Sequence, residues 1–301
     1  MNAPYNPMRD FKRPALTNVA LGDVMKIVVL MELAFVLGPF AIMLLLPSNA
    51  LETYEAGTTP IGVIAQLLTF ALYTAALVYL VRRFHGRGFW SMVGPVTQAI
   101  EHFRVAALAV ATLLLVQTFL PPWIALSELA EVRPLIPWLA WIPVTLAALV
   151  IQTGMEEIYF RGYLQQQFAA ISDKPWVWMG LPSLLFGIGH YMNGNGPADG
   201  VLYVLWATTL GLACADLTAR TGDIGAAIGL HLSNNFFAFS LVGVQDWPST
   251  GLALFLYPYE DKTQYDYALD TLAQGWVLFE VLILVLSVGV MWLAARIAIR
   301  R

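Results

Sequence analysis

Charge is scarce in this sequence. Asp, Glu, Lys and Arg together make up 12% of its 301 residues, whereas hydrophobic residues make up 58%. So few charges cannot cover the water-facing surface of two ordinary soluble domains, which the length alone would allow. Cysteine is scarcer still. Cys214 stands alone, which excludes a disulfide framework and a cysteine-ligated metal cluster. The basic residues are scattered and form no stripe, and the formal net charge is -4, so no nucleic-acid partner is expected. Internal repeats, low-complexity tracts and long linkers are absent, which favours one membrane domain. The first residues hold several charges and prolines but no apolar core or small-residue cleavage site. Residues 1–22 therefore read as a soluble N-terminal tail and not as a cleaved signal.

What the chain does have is long apolar runs. A helix needs about 20 apolar residues to cross the hydrocarbon core, and candidate runs fall near 24–46, 61–81, 105–120, 138–165, 176–192, 200–218, 223–243 and 273–295. The expected fold is all-α, a polytopic membrane bundle of about eight transmembrane helices forming one domain over 23–301. Breaks at Pro121, Pro134, Pro137, the Asn193 to Pro197 stretch and Thr221-Gly222-Asp223 separate the runs. Eight crossings also sort the charges. Arg9, Lys12, Arg13, Lys26, Arg82, Arg83, Arg87, Arg104, Lys174, Arg220, Arg296, Arg300 and Arg301 fall on one side, and only Arg133 and Lys262 on the other. The excess of Lys and Arg marks the cytoplasmic side, which places both termini there. Asp246, Glu260, Asp261, Asp266 and Asp270, mixed with Trp and Tyr, suit an outer loop over about 244–272. The expected location is multi-pass in a cell membrane, plasma or inner.

An ionisable side chain at the centre of a membrane helix costs about 2.5–3.5 kcal/mol on insertion scales, so such residues face a cavity or a partner. Here they cluster late in the chain, between about 140 and 240. The fourth run holds Glu156, Glu157 and Arg161, the fifth His190, and the seventh His231 and Asn235. His85 and His102 are expected in a basic loop and are assigned no role. Positions four apart share a helix face, so Glu157 and Arg161 suit an i,i+4 ion pair with the acid first, the better order. Glu156 points elsewhere, free of that partner, as a general base requires. His231 and Asn235, also four apart, can aim an imidazole N–H and an amide N–H at one point, as an oxyanion hole requires. Each residue alone has a structural reading as ion-pair glue, a packed histidine or a helix-bridging amide. Together they can be a catalytic site. They can also be a proton relay or packing network in a non-catalytic scaffold or carrier, although carriers usually show paired halves and these motifs occupy the second half only.

The order Glu-Glu-x-x-x-Arg (Glu156, Glu157, Arg161), Phe-x-x-x-His (Phe186, His190) and His-x-x-x-Asn (His231, Asn235) resembles the CPBP family of CAAX protease and bacteriocin-processing membrane proteins, which includes the type II CAAX prenyl endopeptidases. The first hundred residues show no motif. The resemblance implies an endopeptidase whose site opens toward the cytoplasmic half of the membrane. In it, Glu156 and His190 would position a water and His231 and Asn235 would stabilise the oxyanion, with Glu157 and Arg161 bracing the helix. The substrate implied is a membrane-embedded or lipidated protein or peptide, met within the lipid bilayer. Zinc held by Glu156, His190 and His231 is the alternative chemistry. Metal-independent water activation is preferred, because no His-Glu-x-x-His helix is present and Asn is a weak zinc ligand. One point of geometry stays open. If the fifth helix starts near Trp176, His190 lies deeper from the cytoplasmic side than His231; a start near Pro182 would level them.

Overall fold

The computed structural model describes residues 3–121, 124, 126–259 and 269–300. Glu260, Asp261, Lys262 and Asp266 of the expected outer loop, together with Pro122 and Arg301, lie outside the described residues.

The architecture is an all-α polytopic bundle. Among the described residues, six helical stretches are long and apolar enough to cross a membrane: Leu21–Met43, Pro60–His85, Val96–Thr118, Leu135–Ile171, Pro197–Thr221 and Gly275–Ile299. In chain order the α-helices are α1 (Asn6–Phe11), α2 (Leu21–Met43), α3 (Ser48–Ala56), α4 (Pro60–Leu68), α5 (Phe70–His85), α6 (Val96–Thr118) and α7 (Leu135–Glu157), then α8 (Gln166–Ile171), α9 (Leu181–Gly189), α10 (Pro197–Thr221), α11 (Gly225–Ser240) and α12 (Gly275–Ile299). The two other expected runs, 176–192 and 223–243, form shorter helices. A π-helical turn, Trp176–Gly180, leads into the nine residues of α9, and α11 has 16 residues. The difference has a physical reason. Most of α11 is buried by neighbouring helices, so its length is set by protein contacts and not by the thickness of the bilayer. By contrast α2 and α12 expose Val29, Leu33, Val36 and Phe40, and Leu278, Phe279, Leu282 and Ile297, as lipid-facing helices must.

The third run also starts earlier than its apolar stretch indicates. α6 begins at Val96 after Pro95, and its first turns carry Glu101, His102 and Arg104. Hydropathy misses them because polar turns at a helix end project beyond the hydrocarbon. α11 packs most extensively against α6, and glycine makes the approach possible. A Cβ on Gly225 would lie 1.9 Å from the Ala99 carbonyl oxygen, and one on Gly229 would lie 2.6 Å from that of Phe103.

Residues 3–17 fold onto the polar end of the bundle. Met8, Phe11 and Ala15 are buried, the Tyr5 hydroxyl donates to Asp216 at 2.8 Å, and Lys12 Nζ donates to the Ala169 carbonyl at 2.7 Å. At the same end Arg87 donates to the side-chain carbonyls of Gln167, at 2.8 Å, and Gln166. Burial pushes the Arg87 guanidinium down to about 10. At the opposite end lies a three-stranded sheet in the order β1-β3-β2, made of β1 (Glu131–Val132), β2 (Val242–Val244) and β3 (Phe255–Tyr257). β1 runs antiparallel to β3, with Glu131 opposite Leu256, and β2 runs parallel to it, with Val242 opposite Phe255. Arg133 holds this cap by donating to the carbonyls of Thr250 (3.0 Å), Ala253 (3.2 Å), Thr58 (3.4 Å) and Gly251. Strands of two or three residues leave no alternation to read in a sequence.

Candidate active site

Four elements build the site: the end of α7 with the segment after it, α9, α10 and α11. After Glu157 the fourth long helix widens into a π-helical stretch, Ile158–Gln165, before α8 resumes the ordinary helix. Such π segments concentrate at functional sites, and this one begins at the residue following the two glutamates. Within it Arg161 still reaches back to Glu157, Nη1 to Oε1 at 3.0 Å, with both side chains fully buried. The expected ion pair is therefore present.

Glu157 does more than pair with Arg161. Its Oε1 also lies 2.7 Å from His231 Nδ1. A carboxylate only accepts, so Nδ1 carries the proton and Glu157 orients the imidazole across two helices. The other ring nitrogen, Nε2, comes within 3.4 Å of Glu156 Oε2 without hydrogen-bond geometry. Glu156 therefore stands beside His231 without being hydrogen-bonded to it. Sequence spacing separated the two glutamates correctly in direction, Glu157 toward Arg161 and Glu156 away from it. It did not show that one histidine stands between them.

His190 caps the end of α9. Its Nδ1 donates to the Phe186 carbonyl at 2.8 Å, one of the last-turn carbonyls that lack a helical partner. That bond fixes the tautomer and leaves the Nε2 lone pair free in the neutral ring. Phe186 is the hub of the packing. Its ring centroid lies 4.5 Å from that of His190 and 5.7 Å from that of His231, and the Arg161 guanidinium sits 4.7 Å above its ring.

The depth of His190 follows from where the helix is laid. The π turn Trp176–Gly180 stays at the polar end, where Trp178 packs edge-on against Tyr5 at 5.7 Å. Ser183 then stands level with Arg161: a Cβ on Gly211 would lie 3.0 Å from Ser183 Cβ and 3.1 Å from Arg161 Nη2. Counted from there, Phe186 reaches the height of His231, and His190 is one turn further along. The helix does start at Trp176, but its first turns sit outside the site.

Asn235 Nδ2 donates to Gln152 Oε1 at 3.0 Å, and Asn235 Oδ1 accepts from Asn234 Nδ2 at 3.0 Å. Gln152 belongs to none of the three motifs, although it lies four residues before Glu156 on the same helix face. Glu32, midway along α2, belongs to none of the three motifs either. This half-buried carboxylate accepts from the hydroxyl of Tyr159 at 3.2 Å. The signal was an acidic residue inside an apolar run. The two remaining histidines are engaged elsewhere, in helices and not in a loop. His85 Nε2 meets the Tyr163 hydroxyl at 3.0 Å, and His102 Nδ1 meets the buried Asp223 carboxylate at 2.7 Å.

Among the described residues no three His, Cys, Asp or Glu side chains are arranged to hold a metal ion. With Nδ1 of His231 bound to Glu157 and Nδ1 of His190 bound to the Phe186 carbonyl, Nε2 is the nitrogen that each ring has left for chemistry.

Residues 137–237, which contain all three motifs, match the family model described as Type II CAAX prenyl endopeptidase Rce1-like. This match shows the resemblance carried by the motifs and supports a CAAX-type intramembrane protease as the general class. Among curated relatives, the Uncharacterized protein YyaK of Bacillus subtilis (strain 168) is 34% identical over 91 residues, which are 29% of this chain and 29% of that protein. No solved structure matches the chain. With its six long apolar helices, the match supports an integral, multi-pass membrane protein.

Proposed function

We propose that this protein is an intramembrane endopeptidase that hydrolyses a peptide bond in a membrane-embedded or lipidated protein, using a water activated by glutamate and histidine. One observation carries the reading: buried Glu156, His231 and Asn235, with half-buried His190 sharing the Phe186 ring with His231, gather polar side chains from three helices in an otherwise apolar bundle. Membrane proteins rarely hold such a cluster without using it.

In this reading a water donates one hydrogen bond to the Glu156 carboxylate and another to the free Nε2 of His190. Its remaining lone pair is then directed at the scissile carbonyl carbon. As the water oxygen forms its bond to that carbon, Glu156 takes the proton and the carbonyl oxygen becomes an oxyanion. In this step His231 is the imidazolium, with Nδ1–H held by Glu157; its Nε2–H and Nδ2–H of Asn235 donate to that oxyanion in a site from which bulk water is excluded. Collapse of the intermediate breaks the C–N bond, and Glu156 returns its proton to the leaving amine. The products are a new C-terminal carboxylate and a new N-terminal amine. The charge sorting supports a cluster opening toward the cytoplasmic half of the membrane.

The test compares membrane-fraction peptides from cells carrying the wild-type chain and Glu156→Ala at equal expression. At least one membrane protein should show a new terminus in the wild type alone. Identical peptide sets would reject the enzyme reading in favour of a polar scaffold.

A further inference from the structure

The side-chain amide of Asn235 offers one acceptor oxygen and two N–H donors. Its orientation decides whether it can serve an oxyanion, because a flipped amide would present oxygen to oxygen. The surroundings leave little choice. Asn235 Oδ1 accepts from Asn234 Nδ2 at 3.0 Å, and one N–H of Asn235 is given to Gln152 Oε1 at 3.0 Å. Flipping Asn235 alone would set its carbonyl oxygen against that of Gln152 and its NH₂ against that of Asn234. The register carries the same information. Gln152 lies four residues before Glu156 on α7, and Asn235 four residues after His231 on α11. The two faces therefore meet as two stacked pairs, Glu156 with His231 and Gln152 with Asn235. Gln152 and Asn235 are both buried, so neither amide has ready access to bulk water as a substitute partner.

We propose that Gln152, assisted by Asn234, is a positioning residue that locks the Asn235 amide so that its second N–H faces the developing oxyanion. This rests on the hydrolase reading above. Nothing in the three motifs assigns a role to Gln152 or Asn234. The competing view is that Gln152 and Asn235 only glue α7 to α11, an ordinary use of amides between membrane helices. Glue and positioning differ in what they do to turnover. A positioning residue acts on the transition state, so its loss lowers kcat with KM unchanged. It also acts only through Asn235.

The experiment measures kcat and KM on one reporter peptide, with thermal unfolding in detergent, for full-length wild type, Gln152→Leu, Asn234→Ala, Asn235→Ala and the two double variants with Asn235→Ala. Gln152→Leu keeps the volume and removes the acceptor. It should lower kcat about 10- to 100-fold at unchanged KM, part of the roughly 10²–10³-fold effect of losing one oxyanion donor. Asn234→Ala should lower kcat several-fold, and neither change should lower it further once Asn235 is Ala. If Gln152→Leu keeps full kcat, or lowers it equally with and without Asn235, the proposal is wrong. Should Gln152→Leu fail to fold, the milder Asn234→Ala decides by the same two criteria. If Asn235→Ala is itself fully active, the oxyanion assignment fails at its root, an outcome distinct from failure of Gln152 alone.

Discussion

Neighbouring glutamates with different partners should fail in different ways when they are neutralised. Glu157 is fully buried, accepts from Arg161 Nη1 at 3.0 Å and from His231 Nδ1 at 2.7 Å, and supplies the countercharge for a guanidinium that is itself buried. At about 4 Å between charge centres and an effective dielectric constant near 20, that attraction is about 4 kcal/mol. Removing one partner of a buried pair typically costs about 3–5 kcal/mol, because the other charge is left unpaired. Glu157→Gln should therefore lose stability by that amount. The folded remainder should also turn over slowly, since His231 loses the carboxylate that orients it. Glu157→Gln combined with Arg161→Met removes both charges, keeps the volume, and should recover much of the stability but not the turnover. Glu156→Gln is the contrast. Its carboxylate makes only the 3.4 Å approach to His231, so stability should change by about 1 kcal/mol or less, while cleavage falls about 10²–10⁴-fold with the loss of the base. Thermal unfolding in detergent and turnover of one reporter peptide separate the four proteins. A fully active Glu156→Gln, or a Glu157→Gln as stable as wild type, would refute this division of roles.

Three further outcomes are expected. Topology reporters fused after Arg87 and after Arg301 should both score as cytoplasmic and one near Gln264 as external; a cytoplasmic score near Gln264 would remove the eight-crossing arrangement. Purified protein should keep cleaving after exhaustive chelation, and activity that disappears and returns with zinc would show that the chemistry runs through a metal. Gly225→Ala places a methyl 1.9 Å from the Ala99 carbonyl. It should push α11 off α6 and destabilise by about 1–3 kcal/mol, read as a lowered unfolding temperature; an unchanged temperature would mean that this helix contact is not tight.

The membrane class, the helical architecture and the crowding of Glu156, Glu157, Arg161, His190, His231 and Asn235 into three apolar runs were legible in one dimension, whereas Phe186 entered only through the family resemblance. Each depends on local rules: apolar run length, i,i+4 spacing on a helix, and the cost of an ion in hydrocarbon. The Glu157–Arg161 pair was readable for the same reason, since both partners lie on one helix. What crosses between helices was not. That His231 stands between two carboxylates, that Gln152 grips Asn235, and that His190 takes its tautomer from the Phe186 carbonyl all depend on helix register and rotation. These are decided by packing, through close approaches at Gly211, Gly225 and Gly229 that no run of hydropathy records. The length of α11, most of which is buried by its neighbours, was hidden for a related reason. Hydropathy measures fit to lipid, and helices enclosed by protein answer to their neighbours instead. The sequence by itself determined which residues are too polar for the membrane they occupy, while the tertiary structure alone decided which atom of each one faces another, because hydrogen-bond partners are chosen across distances in space that bear no relation to distance along the chain.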